Sequence, residues 1–127
     1  MKENELISEA KEFYQLDSLE ELMEYMWLRP TETNLKVDMF VDDGGSYHRH
    51  GHELLLWVRN SYDPNVDEFV PFSVSLPPQL LSDMEIRISS EDVVCVQQFI
   101  ISNLDLLQAL ADRQISQPSF VEAIKTT

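Results

Sequence analysis

Along this chain the spacing of apolar and polar positions changes several times, and each change marks a new element. Over residues 3–14, Leu6, Ile7, Ala10, Phe13 and Tyr14 recur at helical spacing, with Glu3, Glu5, Glu9 and Glu12 opposite. Asp17-Ser18 interrupts that helix. Ser18 and Glu21 then match a capping box, in which the hydroxyl accepts from a backbone N–H and the glutamate reaches back. They predict a second helix over about 18–28, burying Leu19, Leu22, Met23, Met26 and Trp27. Pro30 ends it, because a residue preceding proline avoids helical angles.

The period then drops to two. In 35–42, Leu35, Val37, Met39 and Val41 face one way and Lys36, Asp38, Phe40 and Asp42 the other. Residues 52–60 are apolar on both faces, as in a central or helix-covered strand. The stretch between them is rich in Asp and Gly, so the pair reads as a hairpin with a long or bulged turn. Setting Phe40 opposite Trp57 also sets Asp38 opposite Arg59. An aromatic pair and an opposite-charge pair both favour that register.

A turn at 62–65 with Pro64 in second position leads to a third strand, 68–75. Its Pro71 lacks an N–H and therefore belongs at an edge or bulge. Met84, Ile86 and Ile88 alternate with Glu85, Arg87 and Ser89, which predicts a fourth strand over 84–89.

Ser89 followed by Glu91 and Asp92 is a helix start, since acids in the first turn suit the dipole. The predicted helix runs from 91 to about 113 with an apolar face wider than one amphipathic stripe, and so reads either as doubly packed or as a homodimer surface. Gln117-Pro118 opens a short C-terminal helix docked by Phe120, Val121 and Ile124. The expected fold is a single α+β domain. An antiparallel four-strand meander (35–42, 52–60, 68–75, 84–89) is packed by two N-terminal helices, a long helix and a short one.

Charge adds the strongest constraint on function. Nine basic residues against 23 acidic ones leave a net charge of −14, spread along the whole chain rather than gathered in a tail. Such a surface repels nucleic-acid phosphates and anionic membranes and attracts a basic protein or a cation. No apolar run approaches the ~20 residues of a membrane span. No secretory leader is visible, and the lone Cys95 excludes a disulfide within one chain, so the expected location is the cytoplasm. Cys95 has no basic neighbour to activate it and reads as packing.

The remaining chemistry sits at the hairpin tip, "DDGGSYHRHGHE". His48, His50 and His52 alternate, so in an extended strand they share a face, and Asp42 and Asp43 come from the other arm. Imidazoles with carboxylates suit zinc or manganese, and an open position would make a metal-dependent hydrolase, with Glu53 as general base. Against this, Gly51 can bulge the strand and turn His52 away, and polar residues collect at turns in any case. Tyr47, Arg49, Glu53, Trp57 and Arg59 form a candidate interaction surface, because Tyr, Trp and Arg are enriched at binding hot spots. Arg49 and Arg59 either hold an anion or neutralise Asp38 and Asp42. The favoured expectation is a small acidic interaction module that binds a basic partner as an inhibitor, antitoxin-like protein or adaptor. The alternative is a hydrolase centred on His48, His50 and His52.

Overall fold

A computed structural model describes residues 25–43 and 53–124. The helix expected over 3–14 and most of the one expected over 18–28 lie outside these residues. The chain is α+β, built on one antiparallel sheet. In order it forms β1 (Met26–Leu28), a single helical turn α1 (Pro30–Thr33), β2 (Met39–Val41), β3 (Leu55–Arg59) and β4 (Phe69–Ser73). Three helices follow: α2 (Ser90–Ser102), α3 (Leu104–Ala111) and α4 (Gln117–Ala123). The strands lie side by side in chain order, each antiparallel to the next.

The hairpin has the register that its side chains favour. Phe40 pairs with Trp57. One step on, the Arg59 N–H donates to the Asp38 carbonyl at 3.0 Å. Both faces of the sheet are covered, which is why every residue of β3 and β4 is buried. On one face, Leu28, Met39, Val41, Leu56, Val58, Val70 and Phe72 pack with Val96, Phe99 and Ile100 of α2, Leu107 and Leu110 of α3 and Phe120 of α4. Phe72, Phe99 and Phe120 have no exposed surface. Truncating any of them to alanine costs about 3–5 kcal/mol, through lost transfer energy and the cavity left behind. The other face carries a smaller cluster of Tyr25, Leu55, Trp57, Phe69 and Leu81, with Phe40 against it.

Pro71 sits where its chemistry allows. The Pro71 carbonyl accepts from Leu81 N–H at 2.9 Å, and Ser73 N–H donates to Gln79 at 2.8 Å, both on the side away from β3. The missing N–H of Pro71 therefore points off the sheet edge rather than into the ladder.

Two expected elements are replaced. The fourth strand is not 84–89 but Met26–Leu28, at the opposite edge. Met26 and Leu28 turn inward against β2, and pairing with Met39–Val41 satisfies the backbone that a helix would otherwise have satisfied within itself. Pro30 does not end a helix. It opens α1, where its missing N–H and preset φ suit the first turn, and Asn34 closes that turn at φ 66°.

Residues 84–89 keep their alternation, with Ile86 and Ile88 packed on the core, but form no ladder. Their partner is the buried side chain of Asn60. Its Nδ2 donates to the Glu85 carbonyl at 2.8 Å, and its Oδ1 accepts from Arg87 N–H at 2.7 Å. One amide side chain thus does the work of a neighbouring strand.

The long C-terminal helix is in fact two, meeting at 70°. Asn103, 1% exposed, makes the break. Its side-chain amide donates to the Phe99 carbonyl at 2.9 Å, competing with the backbone for that acceptor. The bend explains the wide apolar face, since each half turns its own stripe inward. Val96, Phe99 and Ile100 are buried on α2, and Leu107, Leu110 and Ala111 on α3. Among the described residues, no single helix is long and apolar enough to cross a membrane.

Candidate functional site

The expected hairpin-tip site is only partly within view. His48, His50, His52, Tyr47 and Arg49 lie outside the described residues. Of the carboxylates expected beside the histidines, Asp42 is 2% exposed, and Asp43 accepts from Gln117 Nε2 of α4 at 2.8 Å. Strand alternation sends Asp42 toward the Trp57 face and Asp43 toward the helices, so the two do not share a side of the sheet. Glu53 is exposed. No group of three His, Cys, Asp or Glu able to hold a metal occurs among the described residues.

Two members of the expected interaction surface are not on the surface. Trp57 is 3% exposed and Arg59 is 8% exposed. β3 is a central strand, so its polar residues are covered along with its apolar ones. Arg59 neutralises Asp38, with Nε 2.9 Å from Oδ2. It also donates to the Val66 carbonyl at 2.6 Å, approaches Asp67 at 3.4 Å and stacks over the Phe69 ring at 4.9 Å.

The concave surface the structure builds lies at the β1 edge. Trp27 and Arg29, two apart on an extended segment, project on the same side. The Trp27 indole is held on three sides. Its Nε1 donates to Asp38 Oδ1 at 3.1 Å, the Phe40 ring stacks nearly parallel at 6.3 Å, and the Arg29 guanidinium lies over it at 4.8 Å. Even so, the ring is 48% exposed. It forms one wall of a cleft of about 320 Å³, completed by Pro30, Thr31, Lys36, Val37, Asp38, Ser61, Tyr62 and Pro64. The lining is mainly apolar, and its two cations, Arg29 and Lys36, are exposed to solvent.

Tyr62, which also lines the cleft, has its hydroxyl tethered to the start of α2. It donates to Asp92 Oδ2 and accepts from Ser89 N–H at 2.8 Å. Ser89 caps α2, accepting from Asp92 N–H at 3.1 Å and donating to Asp92 Oδ2 at 3.0 Å. The Tyr62 hydrogen bond holds the Asp92 carboxyl below its ordinary value of 3.8, helped by Ser89 and by the nearby Lys36 and opposed by burial. Lys36 also borders a second, shallower depression with Glu91, Asp92, Val94 and the half-buried, free Cys95.

Sequence reasoning placed Trp27 in a helix core and Tyr62 in a plain turn, and missed both walls. The available signal was "WLR", an aromatic and a cation at strand spacing just before a proline.

No protein-family model matches this chain, and no curated protein or solved structure is significantly similar to it.

Proposed function

We propose that this chain is a non-enzymatic interaction module that binds a basic partner protein, in the manner of an inhibitor, an antitoxin-like protein or an adaptor. The observation that carries this reading is how its exposed acids are mounted. Asp63 and Asp67 project from one segment, and Asp83, Glu85 and Glu91 from another, all exposed. Asn60 and Tyr62 lace these two segments together through Glu85, Arg87 and Ser89, and Arg87 adds an ion pair to Glu68 at 3.2 Å. The negative charges are thus held on a braced scaffold. Rigid charges lose little conformational entropy on binding, and a net charge of −14 steers a basic partner toward them.

The test is calorimetric titration with a lysine- and arginine-rich peptide, comparing two triple variants of equal charge. Asp83→Asn/Glu85→Gln/Glu91→Gln is expected to weaken binding about tenfold, whereas Asp105→Asn/Asp112→Asn/Glu122→Gln on α3 and α4 leaves it within about twofold. Equal losses from both triples would reduce the charge to a general solubility device and defeat the proposal.

A further inference from the structure

This chain has acid to spare, yet three of its cations, Arg29, Lys36 and Arg113, make no salt bridge among the described residues, and two of these three line one cleft. Arg59 is paired with Asp38 and Arg87 with Glu68. Arg29 and Lys36 make no salt bridge to a described residue, are exposed, and both line the Trp27 cleft; Lys36 acts on the Asp92 carboxylate only from beyond salt-bridge distance. The one carboxylate in the cleft wall, Asp38, is already occupied by Arg59 Nε and Trp27 Nε1. Stacking on Trp27 presets the Arg29 guanidinium, so little side-chain freedom remains to be lost when its fork takes up a carboxylate. Below the rim are two aromatic walls fixed by their own polar atoms, Trp27 through Asp38 and Tyr62 through Asp92 and Ser89.

From this we infer that the cleft is a binding site for a small organic anion with a flat apolar body, an aromatic carboxylate in chemical class. Its ring lies along the exposed edge of the Trp27 indole, whose stack with Phe40 and Arg29 holds it in place, with Tyr62 also lining the cleft, and its carboxylate meets Arg29 and Lys36. At about 320 Å³ the cleft is at the small end of ligand pockets, which limits the body to one or two fused rings. The strong net negative charge opposes an anion at long range. Solvent screens that repulsion beyond about 8 Å, and at contact the two rim cations dominate. The cleft adjoins the acidic segment at Asp63, whose neighbours Tyr62 and Pro64 line it, and the rim cations rather than the acids face the ligand's carboxylate.

The experiment is a ¹H–¹⁵N NMR titration of the full chain with indole-3-acetate and with indole-3-acetamide, chosen as an anion and its neutral isostere. The Trp27 indole N–H is assigned from the spectrum of Trp27→Phe, with the buried Trp57 indole as an internal reference. The inference expects saturable shifts of the Trp27 indole and of the Thr31, Val37 and Tyr62 amides, with a Kd near 1 mM, a modest affinity of about 0.3 kcal/mol per heavy atom that suits an open cleft. The acetamide binds at least about fivefold more weakly, and Arg29→Gln/Lys36→Gln removes that difference by weakening the acetate far more than the acetamide. Should the double variant misfold by circular dichroism, Lys36→Gln alone is expected to show part of the same loss. Equal affinity for the two probes, shifts that map elsewhere, or no shift at about 5 mM would each overturn the inference.

Discussion

Asp38 shows how a single residue can link several parts of this fold. It joins β2 to Arg59 of β3 through a largely covered ion pair and to Trp27 of β1 through the indole N–H. Removing one partner leaves the other charge desolvated and unpaired, so Arg59→Ala or Asp38→Asn is expected to destabilise the protein by about 3–4 kcal/mol in urea unfolding. Replacing both with apolar residues of similar volume should cost less than the sum of the singles. Asp92 carries a pH signature. Its carboxyl is held below 3.8, so its contribution to stability is complete above that value and is lost as pH falls through the lowered folded value. Tyr62→Phe removes the main cause of the lowering. The stability gap between wild type and Tyr62→Phe should be widest near neutral pH and narrow below pH 3.8, as read by urea melts at the two pH values. The histidines at the hairpin tip have their own test, titration of metal-free protein with zinc and manganese. The hydrolase reading expects about one metal per chain, abolished by His50→Ala, and fails if neither ion binds at micromolar levels.

At the scale of elements, the strands and helices with strong local signals were legible in the sequence. The β2–β3 register followed from two complementary cross-strand pairs, and the starts of α2 and α4 from Ser89 and from Gln117-Pro118, with the Ser116 cap seen only in the structure. Where local signals conflicted with long-range pairing, pairing decided. Met26–Leu28 fits helical spacing with Leu22 and Met23, yet β2 offers it a ladder on its open edge. Residues 84–89 have strand alternation, yet the partner available to them is the Asn60 side chain. Asn60→Ala therefore strips a buried donor and acceptor from two distant segments at once. It is expected to cost about 2–4 kcal/mol and to raise amide exchange at Arg87 ahead of β3, measured by denaturation and by hydrogen exchange. The candidate cleft was illegible for the same reason. Its walls come from β1, the first turn of α1, the end of the 34–38 connection and the 61–65 turn, and no sequence spacing links them.

At the scale of the whole molecule, the bend at Asn103 changes what the surface offers. The long apolar helix that suggested a dimer face is bent by 70° into two, and α2 leaves Val94 and Ile101 as its strongly exposed apolar residues. Two such side chains fall well short of the apolar core of a stable interface, which takes about 800 Å² from each partner. Sedimentation equilibrium between about 10 and about 300 µM is expected to give the monomer mass, and a concentration-dependent dimer would restore the helix face as an interface.

By itself, the sequence determined the α+β class, the hairpin register, the Ser89 cap and the acidic character, because each rests on neighbours in the chain or on composition. Only the tertiary structure decided which segment became the fourth strand, where the long helix broke, and that Trp57 and Arg59 are interior while Trp27, Arg29, Lys36 and Tyr62 line a cleft. Those outcomes depend on which distant groups are free to satisfy a backbone amide, a carboxylate or an indole N–H. That competition is resolved only when all the partners are present in space.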